Sequence, residues 1–257
     1  MKNILKKLIP CLLFAVFVTA CTNENMALQY PEGIEGKVVI RSYNAMQDSL
    51  QINAGGKFLQ INKKDAFKGK IVTDYQFVFY NNAERHINII NKATGDILQS
   101  YTFTTKKPID TLSFYGKENI WVENVMSNPP GALSSTGQTG YRFTFPTLNR
   151  FSNSGYDGPL DAIIKKVNGQ VLGIAENITK DSFSTFLEFP YGSPPILNIE
   201  LVKHGTTESY VSGQKVLVQI VMQNNKSRLI VLDEKANENG IFTGVDGTLN
   251  LVDFFDF

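Results

Sequence analysis

Residues 86–104 read His86-Ile87-Asn88-Ile89-Ile90-Asn91-Lys92-Ala93-Thr94-Gly95-Asp96-Ile97-Leu98-Gln99-Ser100-Tyr101-Thr102-Phe103-Thr104. In Ile87-Asn88-Ile89, and again in Tyr101-Thr102-Phe103-Thr104, apolar and polar residues take turns, which sets them on opposite faces of an extended strand. Between them lies Ala93-Thr94-Gly95-Asp96, a hairpin turn in which glycine accepts the positive φ such turns need. Strand, turn and strand at this spacing predict an antiparallel pair with one buried face.

The same texture extends in both directions. Short runs rich in Val, Ile, Phe, Tyr and Thr, parted by Gly, Asn, Asp and Lys clusters, predict strands over 37–43, 49–53, 57–61, 69–80, 86–91, 97–104, 110–115 and 119–125. Asn53-Ala54-Gly55-Gly56 is a second good hairpin turn. Met126 to Gly140 breaks the pattern, because Asn128-Pro129-Pro130-Gly131 and Ser134-Ser135-Thr136-Gly137 cannot form a strand interior. Strand-like runs resume at 141–146, 160–167, 171–175, 182–189, 196–202, 208–211, 215–223, 227–232, 240–243 and 248–252. No stretch sustains a 3.6-residue apolar period, and Asn168-Gly169 makes 160–167 a hairpin strand rather than a helix. The fold class is therefore all-β. Two tandem antiparallel β-sandwich domains of immunoglobulin or transthyretin type are expected at 36–126 and 140–257, joined by a linker at 127–139.

The two halves repeat one another. Asn44 and Asp48 precede Leu50 and Ile52, as Asn153 and Asp157 precede Leu160 and Ala162, at offsets of 109 and 110. Ile87-Asn88-Ile89 matches Leu197-Asn198-Ile199 and Gly95 matches Gly205 at 110, and Tyr101 matches Tyr210 at 109. The segment from Asn153 to Gly169, with Asp157-Gly158-Pro159-Leu160-Asp161 inside it, resembles a bacterial extracytoplasmic domain of unknown function. That domain opens with a strand, Asn, a short loop with Asp and Pro, an alternating strand and Asn-Gly. Asn44 to Gly55 is similar but has no Pro. The resemblance implies a secreted or lipid-anchored β-sandwich protein, often in tandem, with no agreed catalytic residues to carry over.

Residues 1–20 have the parts of a secretory signal: Lys2, Lys6 and Lys7, then the uncharged run Leu8 to Val18, then small residues. The run is shorter than the roughly 20 residues a membrane span needs. Val18-Thr19-Ala20-Cys21 resembles the lipobox of bacterial lipoproteins, which implies cleavage before Cys21 and a lipid on that cysteine. Residues 21–35 would then be a lipidated tether, polar and carrying Pro31 and Gly33. The residues behind the cysteine, Thr22-Asn23-Glu24-Asn25, include no aspartate, which by analogy with lipoprotein sorting argues against retention at the inner membrane and for the outer membrane. Glu24 resembles the short acidic tag of surface-exposed lipoproteins, with a periplasm-facing position as the alternative.

Removing the leader takes three lysines from the 25 Lys+Arg, leaving 22 against 24 Asp+Glu, a mature charge near −2. That balance lacks the basic footprint of a nucleic-acid binder. Of the two cysteines, Cys11 leaves with the leader and Cys21 carries lipid, so no disulfide, cysteine–zinc site or cysteine nucleophile is expected. The two histidines, His86 and His204, do not occupy matching repeat positions, and a zinc site would have to borrow carboxylates. Asn237-Glu238-Asn239-Gly240 with Asp246 resembles part of a Ca²⁺ loop, but Lys235 stands at the first ligand position, so a polar hairpin is expected. No Gly-x-Ser-x-Gly elbow and no phosphate-cradling glycine loop is present. Paired carboxylates for glycoside hydrolysis leave no local signature.

Trp121 is the sole tryptophan. In Asn119-Ile120-Trp121-Val122-Glu123 it shares a face with Asn119 and Glu123. If Ile120 and Val122 face the core, Trp121 is an outward glycan platform. In the reverse register it is internal, or it lies between the sandwiches. Tyr141, Tyr156 and Tyr191, in or beside loops, are candidates to join such a surface. The tail Leu251-Val252-Asp253-Phe254-Phe255-Asp256-Phe257 predicts a last strand packed on the second sandwich, since exposed it would invite aggregation. These readings predict a lipid-anchored, non-catalytic envelope protein needing no metal or cofactor. The foremost role is surface adhesion to an envelope or matrix protein. The alternatives are glycan binding beside an outer-membrane uptake system and, further off, hydrolysis.

Overall fold

A computed structural model describes residues 33–81 and 83–257. Cys21, the leader and tether residues 21–32 lie outside the described residues.

The first half contains β1 (Ile34–Asn44), β2 (Leu50–Ala54), β3 (Lys57–Phe58), β4 (Gly69–Phe79), β5 (Arg85–Asn91), β6 (Ile97–Phe103), β7 (Ile109–Leu112), β8 (Phe114–Lys117) and β9 (Ile120–Glu123). The second contains β10 (Gln138–Thr144), β11 (Leu160–Lys166), β12 (Val171–Ile178), β13 (Leu187–Pro190), β14 (Ile196–Lys203), β15 (Val216–Val221), β16 (Lys226–Ala236) and β17 (Phe242–Asn250). The opening hairpin is β5–β6, with Ile87 opposite Tyr101. The runs expected at 240–243 and 248–252 are one strand, β17, and 208–211 makes only an isolated bridge through Ser209.

Each half is two facing sheets. They are β4-β1-β8-β9 with β3-β2-β5-β6, and β13-β10-β16-β17 with β12-β11-β14-β15. β7 extends the β8 edge along β1, and β7 with β8 stands where β16 stands in the second half, so both halves share one strand order. The sheets are not wholly antiparallel as expected. β1 runs parallel to β7, and β10 runs parallel to β16. Parallel neighbours need a crossover connection, and here the intervening strands of the opposite sheet supply it. The order also differs from the ABED/CFG arrangement of immunoglobulin domains.

Pairing corrects the repeat register. Ile52 pairs with Ile89, while Ala162 pairs with Leu201. Leu201, not Ile199, therefore occupies the place of Ile89. A two-residue slip leaves every apolar side chain on the core side, because the strand period is two. Gly205 follows the strand end Lys203 by two residues, whereas Gly95 follows the equivalent Asn91 by four, and Tyr210 lies outside β15, so those matches are not structural ones. Asn44 Nδ2 donates to the Asp48 and Phe67 carbonyls (2.9 Å each). In the second half Asn149 does this pinning, through Tyr156 O at 2.6 Å, rather than Asn153.

Alternation builds three apolar clusters. The first sandwich buries Val38, Ile40, Leu50, Ile52, Ile89 and Phe114, and the second buries Phe143, Leu160, Ile164, Ile199, Val218 and Leu232. A third cluster joins the halves: Tyr115, Ile120, Val122 and Val125 meet Leu229, Val231, Leu251 and Phe255. β16 is buried on both faces, which is why Leu229-Ile230-Val231-Leu232 is apolar without interruption.

The tail is not a strand on the second sandwich. Leu251–Asp253 forms a 3-10 turn in which Asn250 Oδ1 accepts from Leu229 N (3.1 Å) and Val252 N (3.4 Å). Leu251 and Phe255 then enter the inter-sandwich cluster, Phe254 meets Tyr43 and Tyr115 at 4.7 and 5.0 Å, and Asp256 pairs with Lys70 of β4. Aromatic surface left open on the first half draws the tail across.

Candidate functional site

The site arises from a difference between the two sandwiches. In the second, nine-residue β17 packs across onto β15, and Gly247 makes this approach possible: an added Cβ would lie 2.8 Å from Val218 Cγ1. The equivalent strands of the first sandwich are β9 and β6, and β9 has only four residues. There Trp121 fills the seam. Its ring lies over Gly116, the residue paired with it, where an added Cβ would come within 2.8 Å of Trp121 Cζ3. Phe114 stacks on the ring at 4.6 Å and 15°.

Ile120 and Val122 are buried, as one reading of the alternation required, but they face the neighbouring sandwich rather than their own core. Trp121 is thus turned toward its own sandwich and half-buried. It is not a flat outward platform, because Phe114 covers one face. The indole Nε1 and the Tyr101 hydroxyl are both buried, without a full hydrogen bond among the described residues, and the indole N–H acts on the Glu123 carboxyl and the Tyr101 phenol beside it.

Beside them opens a cleft of about 470 Å³, lined by Gln99 of β6, Trp121 and Glu123 of β9, Asn124, and Lys180 and Asp181 of the second sandwich. Asn124 adopts the left-handed conformation, φ 54°, which ends β9. Lys180 and Asp181 are set by a tight turn in which Thr179 Oγ1 accepts from Asp181 N (3.2 Å) and Ser182 N (2.9 Å). Burial pushes the Glu123 carboxyl above the usual carboxylate range. The Trp121 indole acts against that shift and the nearby Asp181 charge adds to it. Burial, with the Glu123 charge behind it, also raises the Tyr101 phenol.

The three tyrosines do not join this cleft. Tyr141 is a correction: it is fully buried in β10, stacked with Phe143 at 6.0 Å and Phe189 at 5.7 Å. The alternation of Thr139 to Phe143 sets Tyr141 and Phe143 inward. Tyr156 is half-buried, and its hydroxyl donates to Pro159 O at 2.9 Å. Tyr191 is 39% exposed just past β13 and does not line the cleft. Sequence reasoning missed Gln99, Tyr101, Asn124, Lys180 and Asp181. They come from distant strands and a loop, and only the seam brings them together.

Several other ionisable groups have structural partners. Glu234 is buried, and its carboxylate accepts from Asn149 N, Phe151 N, Ser152 N, Ser152 Oγ and Tyr210 Oη. Asn237 Oδ1 accepts from Asn239 N and Ile241 N, which makes the calcium-like segment a hairpin loop. Among the described residues no group of three His, Cys, Asp or Glu converges to hold a metal, and no helix is long and apolar enough to cross a membrane. His86 meets Thr102 at the surface.

His204 Nδ1 lies 2.8 Å from Asp161 Oδ1. Burial pushes the Asp161 carboxyl up, but donation from Gly205 N, His204 and Asn177 N outweighs it and leaves the group below its ordinary value. The Asp161 hydrogen bond, then its charge, raises the His204 imidazole. The folded imidazole therefore holds its proton more tightly than the unfolded one. Its stabilisation is fully present below about pH 6.5 and fades as pH rises through the raised folded value. Denaturation midpoints followed from acidic to mildly alkaline pH are expected to fall across that window, and His204→Gln to remove the fall. A fall of equal size in the variant would assign it elsewhere.

No family model matches the chain, and no curated protein matches it. Among solved structures the chain is similar to the Bacillus anthracis TIE protein, at 11% identity and a TM-score of 0.26. That match covers 79% of this chain and 34% of the other, so this chain spans about a third of that protein's length. It is also similar to a structure described as alpha-glucan recognition by family 41 carbohydrate-binding modules from streptococcal virulence factors. There the identity is 13%, the TM-score 0.24, and the coverage 77% of this chain and 93% of that one. Likenesses of this size carry no argument about function.

Proposed function

We propose that the protein is a lipid-anchored, non-catalytic binding protein of a bacterial envelope, displayed at the cell surface, whose Trp121 cleft takes a neutral glycan. The anchor rests on Val18-Thr19-Ala20-Cys21. The binding role rests on one observation: beside the half-buried Trp121 a cleft of about 470 Å³ is lined almost wholly by amide, carboxylate and ammonium side chains. Sugar hydroxyls both donate and accept, and the cleft offers both kinds of partner. Gln99, Asn124 and Lys180 donate, and Glu123 and Asp181 accept. Two carboxylates against one lysine disfavour an anionic ligand.

The test uses the single tryptophan as reporter. Neutral oligosaccharides are expected to shift Trp121 fluorescence, and Gln99→Ala or Glu123→Gln to weaken binding about fivefold each, the effect of roughly one hydrogen bond. Protease on intact cells should remove the protein if it is surface-displayed. Binding to a matrix-protein panel with no response to any glycan would replace this reading with adhesion to a protein partner.

A further inference from the structure

We infer that the β3–β4 connection forms a second binding site, specific for an acidic polysaccharide and separate from the Trp121 cleft. The near-neutral total charge hides one concentration of lysine. Lys57, Lys63, Lys64, Lys68 and Lys70 fall within fourteen residues, against one acid, Asp65. Asp65 is turned to other partners, accepting from Gln51 Nε2 at 2.8 Å and Lys92 Nζ at 3.2 Å. Lys70 is held by Asp256 of the tail. No ion pair joins Lys57, Lys63, Lys64 or Lys68 to a described residue.

The backbone holds these lysines apart. Ile61 and Lys64 exchange backbone hydrogen bonds of 2.9 and 3.0 Å around Asn62 and Lys63, both with positive φ (51° and 65°). Two successive non-glycine residues in the left-handed region carry a conformational cost. The turn lifts Lys63 outward and sets Lys64 on the wall of a cleft of about 560 Å³. Lys64, Lys68 and Lys70 line that cleft with Ile61 and Val72, and no carboxylate lines it.

The ammonium groups of Lys64 and Lys68 on the cleft wall, with that of Lys63 beside it, suit a chain bearing repeated sulfate, phosphate or carboxylate groups. Single-stranded nucleic acid calls for exposed aromatic faces on which bases stack. The cleft's one aromatic residue, Phe67, is only 7% exposed.

The experiment passes the full chain over immobilised heparin, a linear sulfated polysaccharide, and over neutral dextran, at about 50 mM and about 500 mM NaCl, which bracket strong screening. Retention is expected on heparin alone, with release at high salt. Lys63→Gln/Lys64→Gln/Lys68→Gln is expected to weaken it about tenfold, the combined effect of three exposed charge contacts. Lys106→Gln/Lys166→Gln/Lys226→Gln, which removes equal charge elsewhere, should leave it unchanged. Equal loss in both variants, or none in the first, would overturn the site. Tighter binding to duplex DNA or to phosphatidylglycerol vesicles would overturn the ligand class. Trp121 fluorescence with neutral sugars is read separately, so either site can fail alone.

Discussion

Replacing Glu234 by alanine is expected to lower the unfolding free energy by about 4 kcal/mol, read from urea denaturation. The carboxylate accepts five hydrogen bonds, three from backbone N–H groups of the 149–152 loop and two from the hydroxyls of Ser152 and Tyr210. Removing it strands the buried Tyr210 hydroxyl and leaves the half-buried donors of the loop without the acceptor that holds the loop in place. Burial, then the Glu234 charge and hydrogen bond, pushes the Tyr210 phenol far up, so that hydroxyl stays protonated and needs an acceptor. Glu234→Gln keeps the shape but presents an NH₂ group to donors, and about half the loss is expected. Glu238→Ala, in the exposed loop four residues on, should change stability by less than about 0.5 kcal/mol. Equal midpoints for Glu234→Ala and Glu238→Ala would show that the network adds nothing.

The second large effect belongs to the tail. Truncation after Asn250 removes Leu251 and Phe255 from the inter-sandwich cluster, and Phe254 from Tyr43 and Tyr115. Two buried side chains and two half-buried ones at about 1.5–3 kcal/mol per full burial amount to about 5 kcal/mol of lost apolar burial. The loss falls on the joint rather than on either core. Scanning calorimetry is therefore expected to show one thermal transition in the full chain and two after truncation, because the halves cease to unfold together. A single transition at an unchanged temperature in the truncated chain would mean that the tail does not couple them. Asp256→Asn, which removes only the exposed pair with Lys70, should leave the trace nearly unchanged.

The strands were legible because their signal is local. Alternation in Ile87-Asn88-Ile89 and a glycine at a positive-φ turn act over a few residues, and the structure places both as read. Where the reading slipped, a non-local force decided. The repeat matched Ile89 with Ile199, while pairing set Leu201 there. A slip of two preserves the period that alternation detects, so only hydrogen-bond register could show it. Tyr141 opens the strand expected at 141–146, beside the break from Met126 to Gly140, and that place at a loop edge made it a surface candidate. Its side of β10 faces Phe189, a contact no local pattern contains.

Trp121 shows the same division. Alternation correctly separated it from Ile120 and Val122. It could not say which side was core, because β9 is covered on both sides, by its own sandwich and by the next. By itself, then, the sequence determined the β class and the strands that carry it, through short-range periodicity and turn chemistry. The tertiary structure alone decided the parallel β1–β7 pairing, the crossing of the tail and the open seam at Trp121. Each depends on surfaces far apart in the chain meeting to exclude water, and no local pattern records which surfaces those are.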